Sequence, residues 1–137
     1  MSTASKNIST MMRVTLGILF LAHGIAKFQM GLGNVAGWFS SIGVPGFFGY
    51  VVAVIELVGG IALILGLFTR YVSGIFVIML IGAIFTAKLS GGLMGNGQGA
   101  GYELDIAFIL VALHLAFAPT TRLSLDFLFN RRTSAEQ

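Results

Sequence analysis

Long apolar runs separated by short polar breaks predict four helices along this chain, over about residues 11–28, 47–68, 71–89 and 102–118. Each is close to the roughly 20 apolar residues needed to cross about 30 Å of hydrocarbon. Met1 to Thr10 are polar, carry Lys6 and read as a short tail. Between the first two runs, Leu32, Val35, Trp38, Phe39 and Ile42 recur at helical spacing opposite Asn34, Ser40 and Ser41. That pattern predicts an amphipathic turn or two, lying on the membrane surface or folded over the mouth of the bundle, with a plain surface loop as the alternative. Gly43-Val44-Pro45-Gly46 ends it, because proline restricts the residue before it and glycine permits a sharp turn.

Gly49, Ala53, Gly59, Gly60 and Gly66 give the second run small faces that let neighbouring backbones approach. Thr69 and Arg70 leave only a tight turn before the third run, so these two helices form an antiparallel hairpin. Ser90 to Gly101 holds Gly91, Gly92, Gly95, Gly97, Gly99 and Gly101 and is expected to be a loop, either a linker or a lid. It lacks the Lys-Ser/Thr ending and flanking strand of a phosphate-binding loop. After Pro119, Leu125, Leu128 and Phe129 precede Arg131 and Arg132, as in an interfacial segment.

Composition turns this pattern into a membrane protein. The 137 residues are 56% hydrophobic and 9% charged, against about 25% charged in soluble domains. The expected fold is all-α: one polytopic membrane domain over residues 1–137, a four-transmembrane-helix bundle with the lipid bilayer as its first partner. Lys6, Arg13, Arg70, Arg122, Arg131 and Arg132 fall on one side of a four-pass arrangement and Lys27 and Lys88 on the other, so both termini are expected to be cytoplasmic. The net charge of +3 is accordingly a topology signal and not nucleic-acid affinity. A cleaved signal peptide is not expected, since His23 and Lys27 stand where its small-residue cleavage site belongs. The absence of cysteine excludes disulfide exchange, thiolate nucleophiles, iron-sulfur clusters and thiolate zinc sites.

Ionisable residues inside apolar runs usually face a protein interior or a wet cavity. At about 1.5 Å per residue, His23 lies about 8 Å and Glu56 about 14 Å inward from the outer ends of their helices. Lys27, Lys88, Glu103 and Asp105 fall near the same end. His23 and Lys27, four apart, share one helical face. Glu103 and Asp105 diverge by roughly 200°, so one of them is expected to look inward, and Glu103 is the preferred candidate. The candidate ligand or proton site is therefore His23, Lys27, Glu56, Lys88 and Glu103, with Glu56 pairing Lys27 or His23, and Glu103 pairing Lys88 or Lys27. Ion pairs that merely fix helix register are the alternative reading. Arg13, at the opposite end, is expected to serve orientation or a separate contact.

No metal is expected, because these residues lack a known ligand spacing. His23 and His114 differ in depth by about 10 Å, too far to ligate one haem from both sides, and His114 reads as a packing or interfacial residue. Phe20, Phe28, Trp38, Phe39, Phe47, Phe48 and Tyr102 would line the outer end, an apolar aromatic setting suited to a small amphipathic molecule such as a quinone or phenol.

Taken in order, several short motifs resemble those of the DoxX family of small four-helix membrane proteins. They are Arg13 with Leu16-Gly17 and His23-Gly24 through Lys27-Phe28, then Gly43-Val44-Pro45-Gly46, Glu56 and Gly59-Gly60. Leu65 to Arg70, Gly101-Tyr102-Glu103-Leu104 and Arg122 to Asp126 complete the set, which covers Arg13 to Asp126. The chain departs from the family in carrying Ala118-Pro119-Thr120-Thr121 where Gly-Pro-Gly is frequent. The resemblance implies an oxidoreductase, or a membrane subunit of a redox complex, acting on or responding to quinone-like compounds in a bacterial cytoplasmic membrane. It implies redox-complex subunits or further copies of the chain as partners, a quinone as substrate or ligand, and Arg13, His23, Lys27, Glu56 and Glu103 as the positions to test. A non-enzymatic membrane scaffold and a proton-coupled small-molecule transporter are the other function classes these residues allow.

Overall fold

The computed structural model describes residues 2–88 (backbone alone for 87 and 88), 92–94, 101–118, 124–126 and 128–129. Among the described residues five α-helices follow one another: α1 (Thr3–Met30), α2 (Leu32–Ser41), α3 (Phe47–Leu65), α4 (Thr69–Ala83) and α5 (Glu103–Phe117). Thr3–Met30, Phe47–Leu65 and Thr69–Thr86 are long and apolar enough to cross a membrane. The 15 residues of α5 add about 22 Å of helix.

The boundaries differ from the periodicity in three places, each for a local reason. The polar residues expected as a tail belong to α1, which starts at Thr3 with the Ser2 hydroxyl accepting the Ser5 N–H. Packing holds these turns: Ser9 and Arg13 are each 1% exposed, and Ser9 Oγ is 2.7 Å from His114 Nε2 on α5. The second predicted helix stops at Leu65, not Phe68, because Gly66 adopts φ +70° and Leu67 N–H returns to Ala62 O, a Schellman ending. The third changes winding before its end, with a π-helical turn over Ile84–Lys88 after α4. Thr86 Oγ1 donates to Gly82 O at 2.7 Å, a side-chain bond that competes with the local ladder. Most of the glycine-rich loop, Pro119 to Leu123 and Arg131 and Arg132 lie outside the described residues.

The expected connector helix is α2, which lies across the start of α3 with Val35 buried and Trp38 exposed. The bundle is built from two close pairs, α1 on α3 and α4 on α5. Leu16 and Phe20 of α1, Leu63 of α3, Phe76 and Leu80 of α4, and Ala112 and Leu115 of α5 form one core. The Phe20 and Phe76 rings stack at 4.2 Å between centroids. Small residues set these approaches, as the sequence predicts. A Cβ on Gly60 would lie 2.6 Å from Leu21 N, and one on Gly24 would lie 2.7 Å from Leu57 N. Gly59 faces the other way, its Cβ position 2.7 Å from Phe76 Cζ. The Gly59-Gly60 pair thus seats α3 against α1 and α4 at once.

The end of the bundle opposite α2 is tied by the C-terminal segment. Asp126 accepts from Phe68 N at 2.9 Å and Thr69 N at 3.0 Å, and its own N–H donates to Gly66 O at 3.0 Å. It therefore caps α4 from 57 residues away. Arg13 lies beneath, attracted by the Asp126 charge, and Arg70 Nε donates to the last turn of α5 at Ala116 O.

Candidate functional site

Glu56 shares one face of α3 with Ala53, Gly60 and Leu63, the face that packs on α1. Gly24 lets the two backbones close there, so Lys27 one turn further along α1 can fold back onto Glu56. Nζ lies 2.7 Å from Oε2, with the side chains 21% and 8% exposed. A carboxylate this deep is tolerable because the ammonium neutralises it and bonds to it directly. His23, one turn before Lys27, directs Nδ1 to Leu19 O at 2.7 Å.

These three residues line a cavity of about 680 Å³ at the α2 end of the bundle. Its walls are otherwise mostly apolar. Phe20 belongs to its inner side, and Trp38, Phe39 and Ile42 come from α2 and the turn after it. Of the aromatic residues expected there, Phe20, Trp38, Phe39 and Phe48 line it, whereas Phe28, Phe47 and Tyr102 do not. Ile75, Ile78 and Gly82 line it too, although they lie on the side of α4 opposite the buried Ser73, Phe76 and Leu80. The cavity therefore runs from the polar cluster to the flank of the bundle between α3 and α4, which pack mainly on other partners.

The acidic residue of α5 in this cavity is Asp105, 4% exposed, and not Glu103, which is exposed and does not line it. The choice between them turns on which stripe of α5 faces the bundle. Asp105 stands in one helical stripe with Phe108, Ala112 and Leu115, the stripe that reaches the core, while Glu103 shares its side with the exposed Ile106 and Leu110. Nothing in the composition of either stripe distinguished core from lipid. Thr86, four residues after Gly82 on the same face, also lines the cavity. The Lys88 side chain lies outside the described residues. Arg13 sits at the far end with Asp126, and His114 is bonded to Ser9, away from His23. Among the described residues no three His, Asp or Glu side chains are placed to hold a metal ion.

Chemically, the cavity offers an ammonium with N–H groups beyond the one directed at Glu56, an imidazole and a buried carboxylate on one patch of an apolar wall. Such a lining orients a ring compound carrying oxygen at one end.

The DoxX family model matches residues 8–89. The chain is 44% identical to a Bacillus subtilis (strain 168) protein named “Putative oxidoreductase CatD”, over 85% of this chain and 82% of that protein. It is 33% identical to an uncharacterized membrane protein of Mycobacterium tuberculosis over 90% of this chain and 82% of the relative. An uncharacterized protein of Haemophilus influenzae is 32% identical over 88% of this chain and 90% of its own length. No solved structure matches. The chain belongs to the DoxX family and is a multi-pass membrane protein.

Proposed function

We propose that this DoxX protein binds a quinone-like ring compound in the cavity lined by α1, α2, α3, α4 and α5, and works as an oxidoreductase or as the membrane subunit of a redox complex. The observation that carries this reading is the Lys27–Glu56 pair beside His23 on the wall of an apolar cavity of about 680 Å³. That volume and lining suit one small amphipathic ring. The name of the Bacillus subtilis relative supports the redox part. With no cysteine in the chain, electrons would pass through the bound ring or a partner and not through a thiol.

The same reading takes the chain as a four-pass protein of a bacterial cytoplasmic membrane, with α5 as the fourth span and both termini cytoplasmic. Arg13 and Arg70 at the end opposite α2 support that orientation. Redox-complex subunits or further copies of the chain are its proposed partners. The test is to titrate the purified protein in lipid nanodiscs with a short-chain quinone, and to compare cellular quinone tolerance with wild type and Glu56→Gln. Saturable binding weakened by Glu56→Gln, with altered tolerance, is expected. No binding and unchanged tolerance would end the proposal. A purely structural pair is the second reading, favoured by the seam position of Glu56 between α1 and α3. It predicts that stoichiometric partners co-purify and that function survives both Glu56→Gln and Lys27→Ala.

A further inference from the structure

The two ring nitrogens of His23 have different roles in this fold. Nδ1 lies 2.7 Å from Leu19 O, one turn back along α1. A carbonyl oxygen accepts and cannot donate, so Nδ1 carries the proton, and in the neutral ring Nε2 is left as a lone-pair acceptor. Nε2 lies on the edge of the ring away from the bond to Leu19. The residue lines the cavity, and Phe20 flanks its ring at 6.3 Å between centroids. Lys27, one turn further along the same face, supplies only donors, and Glu56 Oε2 already accepts from it. His23 and Lys27, four residues apart on one helical face, thus set an acceptor and a donor along one wall.

Resting on the reading of the cavity as a site for quinone-like rings, we propose that His23 Nε2 is the acceptor that determines specificity. It selects an aromatic compound with a phenolic hydroxyl, the reduced partner of a quinone, over the carbonyl or ether form of the same ring. A hydroxyl donates to Nε2, whereas a carbonyl or methoxy oxygen there sets two acceptors against each other in an apolar site, where an unmade hydrogen bond is costly. A second oxygen on the ring reaches the donors of Lys27. The hydroxyl only donates a hydrogen bond in this scheme, and no electron or covalent step is involved.

The test titrates the full-length protein in nanodiscs with three probes of one ring system: a substituted hydroquinone kept under argon, its quinone and its di-O-methyl ether. Wild type is expected to bind the hydroquinone about tenfold more tightly than either of the others. His23→Phe keeps an aromatic ring and removes the acceptor, so the ratio should fall to about one while ether binding persists; His23→Leu gives the same reading if the Phe variant does not fold. Glu103→Gln, an exposed position outside the cavity, should leave the ratio unchanged. Equal binding of all three probes by wild type, a ratio that survives both His23 variants, or a ratio lost in Glu103→Gln would each overturn the role of His23 and leave the ring-binding site standing. Failure of every probe to bind would overturn both.

Discussion

Lys27 Nζ on α1 and Glu56 Oε2 on α3 are 2.7 Å apart although the residues are separated by 29 positions in sequence. Each makes the burial of the other tolerable, so removing either alone leaves a charge stranded in an apolar wall. Lys27→Met and Glu56→Met should each destabilise the protein by about 3 kcal/mol, and the double variant by clearly less than the sum. Thermal unfolding in one detergent checks this as a double-mutant cycle. Strict additivity would show that the two groups do not interact.

Gly24 and Gly60 close the α1–α3 seam, whereas added Cβ atoms on Gly37 or Gly74 would meet nothing within 4 Å. Gly24→Ala and Gly60→Ala are therefore expected to lower Tm by several degrees by forcing the helices apart. Gly37→Ala and Gly74→Ala should hold or raise it, because alanine is favoured over glycine in a helix by up to about 1 kcal/mol. The four melting curves decide the matter, and a fall shared by all four would refute it.

Phe68 has φ +51° and is 60% exposed, so it carries a left-handed backbone with little packing to offset it. Phe68→Gly should stabilise the α3–α4 turn by about 1 kcal/mol, and Phe68→Val should destabilise it. Chemical denaturation in mixed micelles would measure both.

Asp126 caps α4 through the Phe68 and Thr69 amides. Asp126→Ala should cost about 1 kcal/mol and release the C-terminal segment, and Asp126→Asn should recover much of the cap. Limited proteolysis followed by mass spectrometry would show earlier cleavage after residue 118 in the alanine variant. Unchanged cleavage would mean that the segment is held by other contacts.

Residues whose neighbours lie within one helical turn, or whose chemistry demands a partner, were legible in the sequence. The His23 and Lys27 face, the need of Glu56 for a cation, the amphipathic α2 and the small faces of α3 follow from spacing and from the cost of buried charge. The sequence did not reveal which stripe of α5 is inner, because in a membrane protein the lipid side is as apolar as the core. That is why the sequence favours Glu103 where the structure places Asp105 in the cavity. It also gave no sign that Asp126 would cap a helix 57 positions away, since that contact exists only once the segment holding Asp126 has met the α3–α4 turn.

For the proposed ring ligand, the opening of the cavity on the flank between α3 and α4 sets the phase from which it would fill. A ring compound entering on that flank is drawn from hydrocarbon, where each buried methylene enriches it by about 0.8 kcal/mol relative to water. Occupancy then follows the mole fraction of the compound in the bilayer, not its concentration in the buffer. At constant protein, doubling the lipid should nearly double the total compound needed for half-saturation once partitioning is strong, and lengthening an alkyl tail should lower the apparent aqueous Kd without any new contact to the protein.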